Sequence, residues 1–151
     1  MPESEEHRKL VSWLDFYAKE NYKLQTVISD IQESVGMERP PKIGSPPHEP
    51  DLYGVDAKSH TFLVGEAKTA KDSKTARSER QIKSFLGFLE SKTQGIFILA
   101  LPGEAADSLR AKLTILSLEL NLRNTKIYLY DTLDIWDLRF SDSGRFEWHF
   151  K

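Results

Sequence analysis

Between Gly95 and Leu101 the chain reads Gly-Ile-Phe-Ile-Leu-Ala-Leu, an uninterrupted apolar run closed by Pro102-Gly103. Both of its alternating sets of side chains are apolar, so it has no side to offer water and predicts a strand buried on both faces. Such a strand belongs inside a sheet with a covering layer on each side, and the neighbouring segments can supply those layers. Residues 73–91 carry Ile82, Phe85, Leu86 and Leu89 at helical spacing, and residues 104–122 carry Leu109, Leu113, Leu116 and Leu120. A third amphipathic helix is predicted over about 4–21 through Glu6, Leu10, Trp13, Leu14 and Tyr17, with Ser4 as its N-cap.

Further strands are predicted at 24–31, which is β-branched and roughly alternating, and at 51–57 and 61–68, joined by a tight turn at Lys58-Ser59. Another is expected at 126–130, and 135–140 with 145–150 can close a terminal hairpin. Residues 39–50 hold five of the seven prolines and read as a loop, because proline lacks a donor and restricts the residue before it. The segment before this loop is too short for a core of its own, so the 151 residues read as one domain. The order α-β-β-β-α-β-α-β plus a tail or hairpin predicts an α/β domain with a mixed central sheet flanked by helices.

Composition narrows the function classes. There is no cysteine, which excludes disulfides, thiolate nucleophiles and Cys-ligated zinc. His7, His48, His60 and His149 show no zinc-type spacing. No apolar run has the length to cross a bilayer and no secretory leader is visible, so a cytoplasmic protein with no membrane partner is expected. A net charge of −2 rules out a uniformly basic coat for nucleic acid, so any polyanion site must be a local patch.

The chemistry concentrates in Pro50-Asp51 and Glu66-Ala67-Lys68. Alternation puts Phe62, Val64, Glu66 and Lys68 on one face of their strand, an unusual ending for a strand whose Phe62-Leu63-Val64 is apolar on both faces. A turn centred between Lys58 and Ser59 sets Asp51 directly opposite Glu66, on the same face, with Cβ atoms about 4.5–5.5 Å apart. Like charges at that separation are destabilising unless a cation or proton lies between them. An odd-sized turn would shift this register by one residue. The plainer alternative is an exposed hairpin with a weak Glu66–Lys68 ion pair. Two carboxylates suit Mg²⁺, with Mn²⁺ as substitute, and a lysine beside them suits phosphodiester hydrolysis.

At these residues the chain resembles the PD-(D/E)XK nuclease superfamily, whose fold is restriction-endonuclease-like. Pro50-Asp51 matches the PD element and Glu66-Ala67-Lys68 the (D/E)XK element, and the order of helix, three strands, helix and strand over about 4–101 is similar. The resemblance implies a Mg²⁺-dependent endonuclease, most often acting on DNA and often a homodimer. Asp51 and Glu66 would be its metal ligands, helped by the Ala67 carbonyl, and Lys68 would activate water. Gln81-Ile82-Lys83-Ser84-Phe85 is similar to the Q-x-x-x-Y element of some members, with Phe in place of Tyr, and implies a positioning role for Gln81. Members often add a glutamate from the first helix, for which Glu6 is the first candidate and Glu20 the second.

Residues 68–92 carry seven basic and three acidic side chains, a local net charge of +4. Lys71, Lys74, Arg77 and Arg80 are therefore candidate nucleic-acid contacts, against the alternative of a solvated helix face. Asp56 reads as a turn residue, Asp72 as the next helix's N-cap, and His48 as solvent-exposed. One site of this size cuts one strand, so double-strand cleavage calls for a homodimer, with the C-terminal segment as the expected contact. The rival from another class is a module on the same fold that binds nucleic acid or protein without turnover.

Overall fold

The apolar run lies at the centre of a seven-stranded sheet. In the computed structural model, which describes residues 4–30 and 38–151, it forms β4 (Gln94–Ala100), the element order before it being α1 (Glu5–Asn21), β1 (Thr26–Ser29), β2 (Leu52–Asp56), β3 (Thr61–Ala67) and α2 (Ala76–Glu90). After it come α3 (Gly103–Glu119), β5 (Thr125–Tyr130), β6 (Ile135–Phe140) and β7 (Phe146–Phe150). Strand order in the sheet equals chain order. β4 pairs in parallel with β3 and β5, while the pairs β1–β2, β2–β3, β5–β6 and β6–β7 are antiparallel. Parallel neighbours need crossovers, and α2 and α3 are those crossovers.

Each face of β4 serves a different core, which explains why both of its side-chain sets are apolar. Ile96, Ile98 and Ala100 pack with Leu10, Val11, Leu14 and Ala18 of α1 and with Leu52 and Leu63. Phe97 and Leu99 pack with Phe85, Leu86 and Leu89 of α2, and with Leu109 and Leu113 of α3. The expected α/β architecture with a mixed sheet is therefore present, including the terminal hairpin. Among the described residues no helix is long and apolar enough to cross a membrane.

Local chemistry moved several boundaries. The helix expected from residue 73 begins at Ala76, after a 3₁₀ turn over Asp72–Lys74. Its cap is Thr75, whose Oγ1 accepts from Ser78 N at 3.1 Å, and not Asp72 as expected. Asp72 contributes its carbonyl instead, accepting from Thr75 N at 3.2 Å and Ser78 Oγ at 2.5 Å. The strand expected at 24–31 is shorter, Thr26–Ser29, and Ile31 lies outside the described residues. The helix expected to run to 122 stops at Glu119, where Asn121 at φ 52 turns the chain out of helical geometry.

The proline loop is anchored at both ends. Arg39 Nε donates to Glu49 Oε1 at 2.9 Å and forms an ion pair with Asp30, and Ser84 Oγ of α2 donates to the Pro46 carbonyl at 2.6 Å. Leu14 is 0% exposed and joins α1 to the sheet. Leu14→Ala is expected to lower unfolding free energy in urea by about 2–5 kcal/mol, through lost burial and a residual cavity.

Candidate active site

Register decides the site. The β2–β3 turn covers 57–60, an even number of residues between the partners Asp56 and Thr61, and the ladder runs to Leu52 opposite Gly65. The next position out brings Asp51 to Glu66. Asp51 N donates to Glu66 Oε1 at 3.0 Å, and Ala67 N donates to Asp51 Oδ2 at 2.8 Å. Each carboxylate thus takes a main-chain hydrogen bond from the other's strand. Asp51 is 9% and Glu66 3% exposed, which excludes the surface-hairpin alternative. Asp56 accepts from Ser59 Oγ at 2.7 Å and serves the turn.

Lys68 extends β3 by one step, its backbone N donating to Ala100 O at 2.9 Å. Alternation returns it to the Glu66 face. Its buried Nζ lies 3.2 Å from Glu66 Oε2 and donates to Gln81 Oε1 of α2 at 2.6 Å. Asp51, Glu66, Ala67, Lys68 and Gln81 all line one cavity of about 380 Å³, at the end of the sheet where β3 finishes. Arg77 also lines it, whereas Lys71 and Lys74 are exposed side chains not among its lining, and Arg80 lines a separate depression.

From α1 the residue that reaches the site is His7, one position away from the expected Glu6. His7 Nε2 is 3.3 Å from Asp51 Oδ2, while Glu6 is exposed and not among the cavity lining. Glu20 is also exposed and stands 13 positions along the helix, about 20 Å at 1.5 Å per residue. Two local facts select His7. The buried stripe of α1 runs through Leu10, Val11, Leu14, Tyr17 and Ala18, so its extension by one turn falls on position 7. Ser4 caps the helix by accepting from His7 N at 3.1 Å, which fixes the backbone there. The same helical arithmetic, centred on Val11 and Leu14 and not on Trp13, was available in the sequence.

Phe85 is fully buried and acts in packing, with the His48 ring edge-on at a centroid distance of 6.2 Å. Against expectation His48 is not solvent-exposed: it is half-buried, with Nε2 shut off from solvent and without a hydrogen-bond partner among the described residues. Burial, followed by the positive charges of Arg77, Lys68 and Arg80, holds its imidazole below the usual histidine range.

The two acids titrate in opposite directions. Burial, then the adjacent Asp51 charge, pushes Glu66 well above the ordinary carboxylate range, and Lys68 only partly offsets this. Burial acts upward on Asp51 as well, but hydrogen bonds from His7 and Glu66, the charge of His7 and the Ala67 N–H together take it below its ordinary value. Charge on either acid thus works against charge on the other. Among the described residues no three His, Asp or Glu side chains form a ready-made metal cage. The donor set does fit a hard divalent cation that keeps most of its water, since two adjacent buried carboxylates repel each other and a cation between them would offset that repulsion.

Comparison with known proteins adds no relative: no protein-family model, curated protein or solved structure matches the chain.

A carboxyl raised in the folded state gives its full stability below its unfolded value, ordinarily 4.5, and loses stability as pH climbs through the folded value. Glu66→Gln removes that loss while its amide oxygen can still accept from Asp51 N, and Lys68 Nζ stays held by Gln81. It is expected to stabilise the protein by on the order of 1 kcal/mol at pH 8. In thermal melts across pH, the gain should shrink as pH falls toward 4.5.

Proposed function

We propose that this protein is a Mg²⁺-dependent endonuclease of the PD-(D/E)XK type, with a restriction-endonuclease-like fold, that hydrolyses phosphodiester bonds in DNA. Support comes above all from one observation: two buried carboxylates exchange main-chain hydrogen bonds across a hairpin, with an ammonium 3.2 Å from one of them. Such a cluster lowers the stability of the fold it sits in, so a purely structural role does not account for it.

Asp51, Glu66 and the Ala67 carbonyl would hold Mg²⁺, or Mn²⁺ in its place, with His7 beside Asp51. The bound ion would supply polarisation of a phosphoryl oxygen and a water of lowered pKa. Gln81 and Glu66 hold Lys68 Nζ from two sides, using two of its three hydrogens. The third is free to orient the attacking water and to meet negative charge developing on the phosphorus oxygens. Arg77, at the same cavity, can hold the substrate phosphate electrostatically. Cleavage of both strands would use two copies of the chain, a homodimer, and the β6–β7 hairpin is the surface we assign to that contact.

Supercoiled plasmid incubated with Mg²⁺, Mn²⁺ or EDTA tests the proposal. Nicking is expected with either metal, none with EDTA, and a loss of roughly 10²–10⁴-fold in Lys68→Ala. Binding of DNA without cutting in every metal would instead assign a non-catalytic module.

A further inference from the structure

A second depression, of about 570 Å³, lies between the proline loop and α2. It contains no buried acid. Its lining joins apolar Pro46, Phe88 and Leu120 to the cations Arg80 and Lys83. Two glycines shape it in opposite ways. Gly44, at φ +89, brings the loop so close to α2 that a Cβ there would fall 2.0 Å from Ser84 Oγ. With the Ser84–Pro46 hydrogen bond, this fixes the loop wall.

Gly87 is different. It sits inside α2, exposed, with no positive φ and no atom within 4 Å of where a Cβ would stand. Glycine inside a helix costs about 0.5–1 kcal/mol relative to alanine. No contact or backbone angle of the fold requires it here, and its effect is to leave the space above the helix open. Arg80 and Lys83 precede it by seven and four residues, so all three share one stripe of α2. Arg77, three residues before Arg80, continues this stripe into the candidate active site. The run from 77 to 87 spans about 15 Å. Lys83 lies 4.0 Å from Glu119, and both are largely exposed, a pairing of little strength.

We propose that this groove holds an unpaired stretch of single-stranded DNA flanking the bond to be cut, a conclusion that rests on the nuclease reading for its placement beside a cleavage site. Arg77, Arg80 and Lys83 meet successive phosphates, and a base enters over Gly87 against Phe88 and Pro46. Duplex DNA hides its base faces and offers phosphates alone, so a concave, largely apolar lining gains nothing from it. Unpaired bases need such a surface, and cations beside it track the backbone.

The experiment compares a short single-stranded DNA containing 2-aminopurine with its blunt duplex, using Ca²⁺ for binding and Mg²⁺ for cutting. Gly87→Trp fills the groove from a position where the fold has room, and its melting temperature reports that folding is intact. It is expected to weaken single-strand binding by about 10-fold and abolish the 2-aminopurine signal. Duplex affinity should stay level. The Arg80→Ala/Lys83→Ala pair should also reduce the slope of log affinity against log salt by roughly 1.4. If folded Gly87→Trp binds and cuts the single strand as the unaltered chain does, the groove assignment is overturned even where Lys68-dependent cutting persists. If single-strand binding depends on Gly87 but no metal supports cutting, the groove stands and the nuclease reading falls.

Discussion

Asp51 and Glu66 each accept a main-chain N–H from the other's strand, and this reciprocal clamp is the constraint to which the surrounding structure answers. An ionised carboxylate buried without partners costs several kcal/mol, and two in contact cost more. The protein meets that cost with donors: the Asp51 and Ala67 amides, the Lys68 ammonium and the His7 imidazole. What remains shows as the upward displacement of Glu66 from the ordinary carboxylate range. A cluster satisfied to this degree is rigid, and rigidity is what catalysis by positioned charge requires.

Three separate layers supply the parts, and each is held by a core that has nothing to do with chemistry. The sheet brings the two acids and the lysine through register and alternation. From one side α1, pinned by Leu14, presents His7 at its first turn. From the other α2, pinned by Phe85 and Leu86, presents Gln81. Moving one layer relative to the others would separate Lys68 from Gln81 or His7 from Asp51 without touching either hydrogen-bonded acid.

Much of this was legible in the amino-acid order. The run at 95–101 announced a doubly covered strand, and an even turn at 57–60 carried Asp51 opposite Glu66 by arithmetic alone. Gln81, singled out by the similarity of its segment to a known element, lies against Lys68. Where the reading slipped, the deciding physics was local and shared by several candidates. Asp72 and Thr75 can both cap a helix, and only backbone geometry chooses between them. Glu6 and His7 are one residue apart on a helix whose facing side turns through 100° per residue, so a stripe centred on Trp13 selects the wrong one. His48 looked exposed because a proline-rich loop gives no periodicity from which to judge packing.

The coincidence of strand order with chain order has a bearing on how the molecule is made. Every strand pairs with the one synthesised just before it, across a hairpin at β2–β3, β5–β6 and β6–β7 and across the α2 and α3 crossovers on either side of β4. The closures are unequal: tight turns join the hairpins, whereas residues 68–93 separate β3 from β4 and residues 101–124 separate β4 from β5. All of Asp51, Glu66, Lys68 and Gln81 arrive before β4 does, whereas the second covering of the sheet by α3 arrives afterward. The hairpin that pairs the acids is thus a local unit of the chain, whereas the main-chain bond that keeps Lys68 in line, its N–H to the Ala100 carbonyl, has its acceptor beyond the α2 crossover.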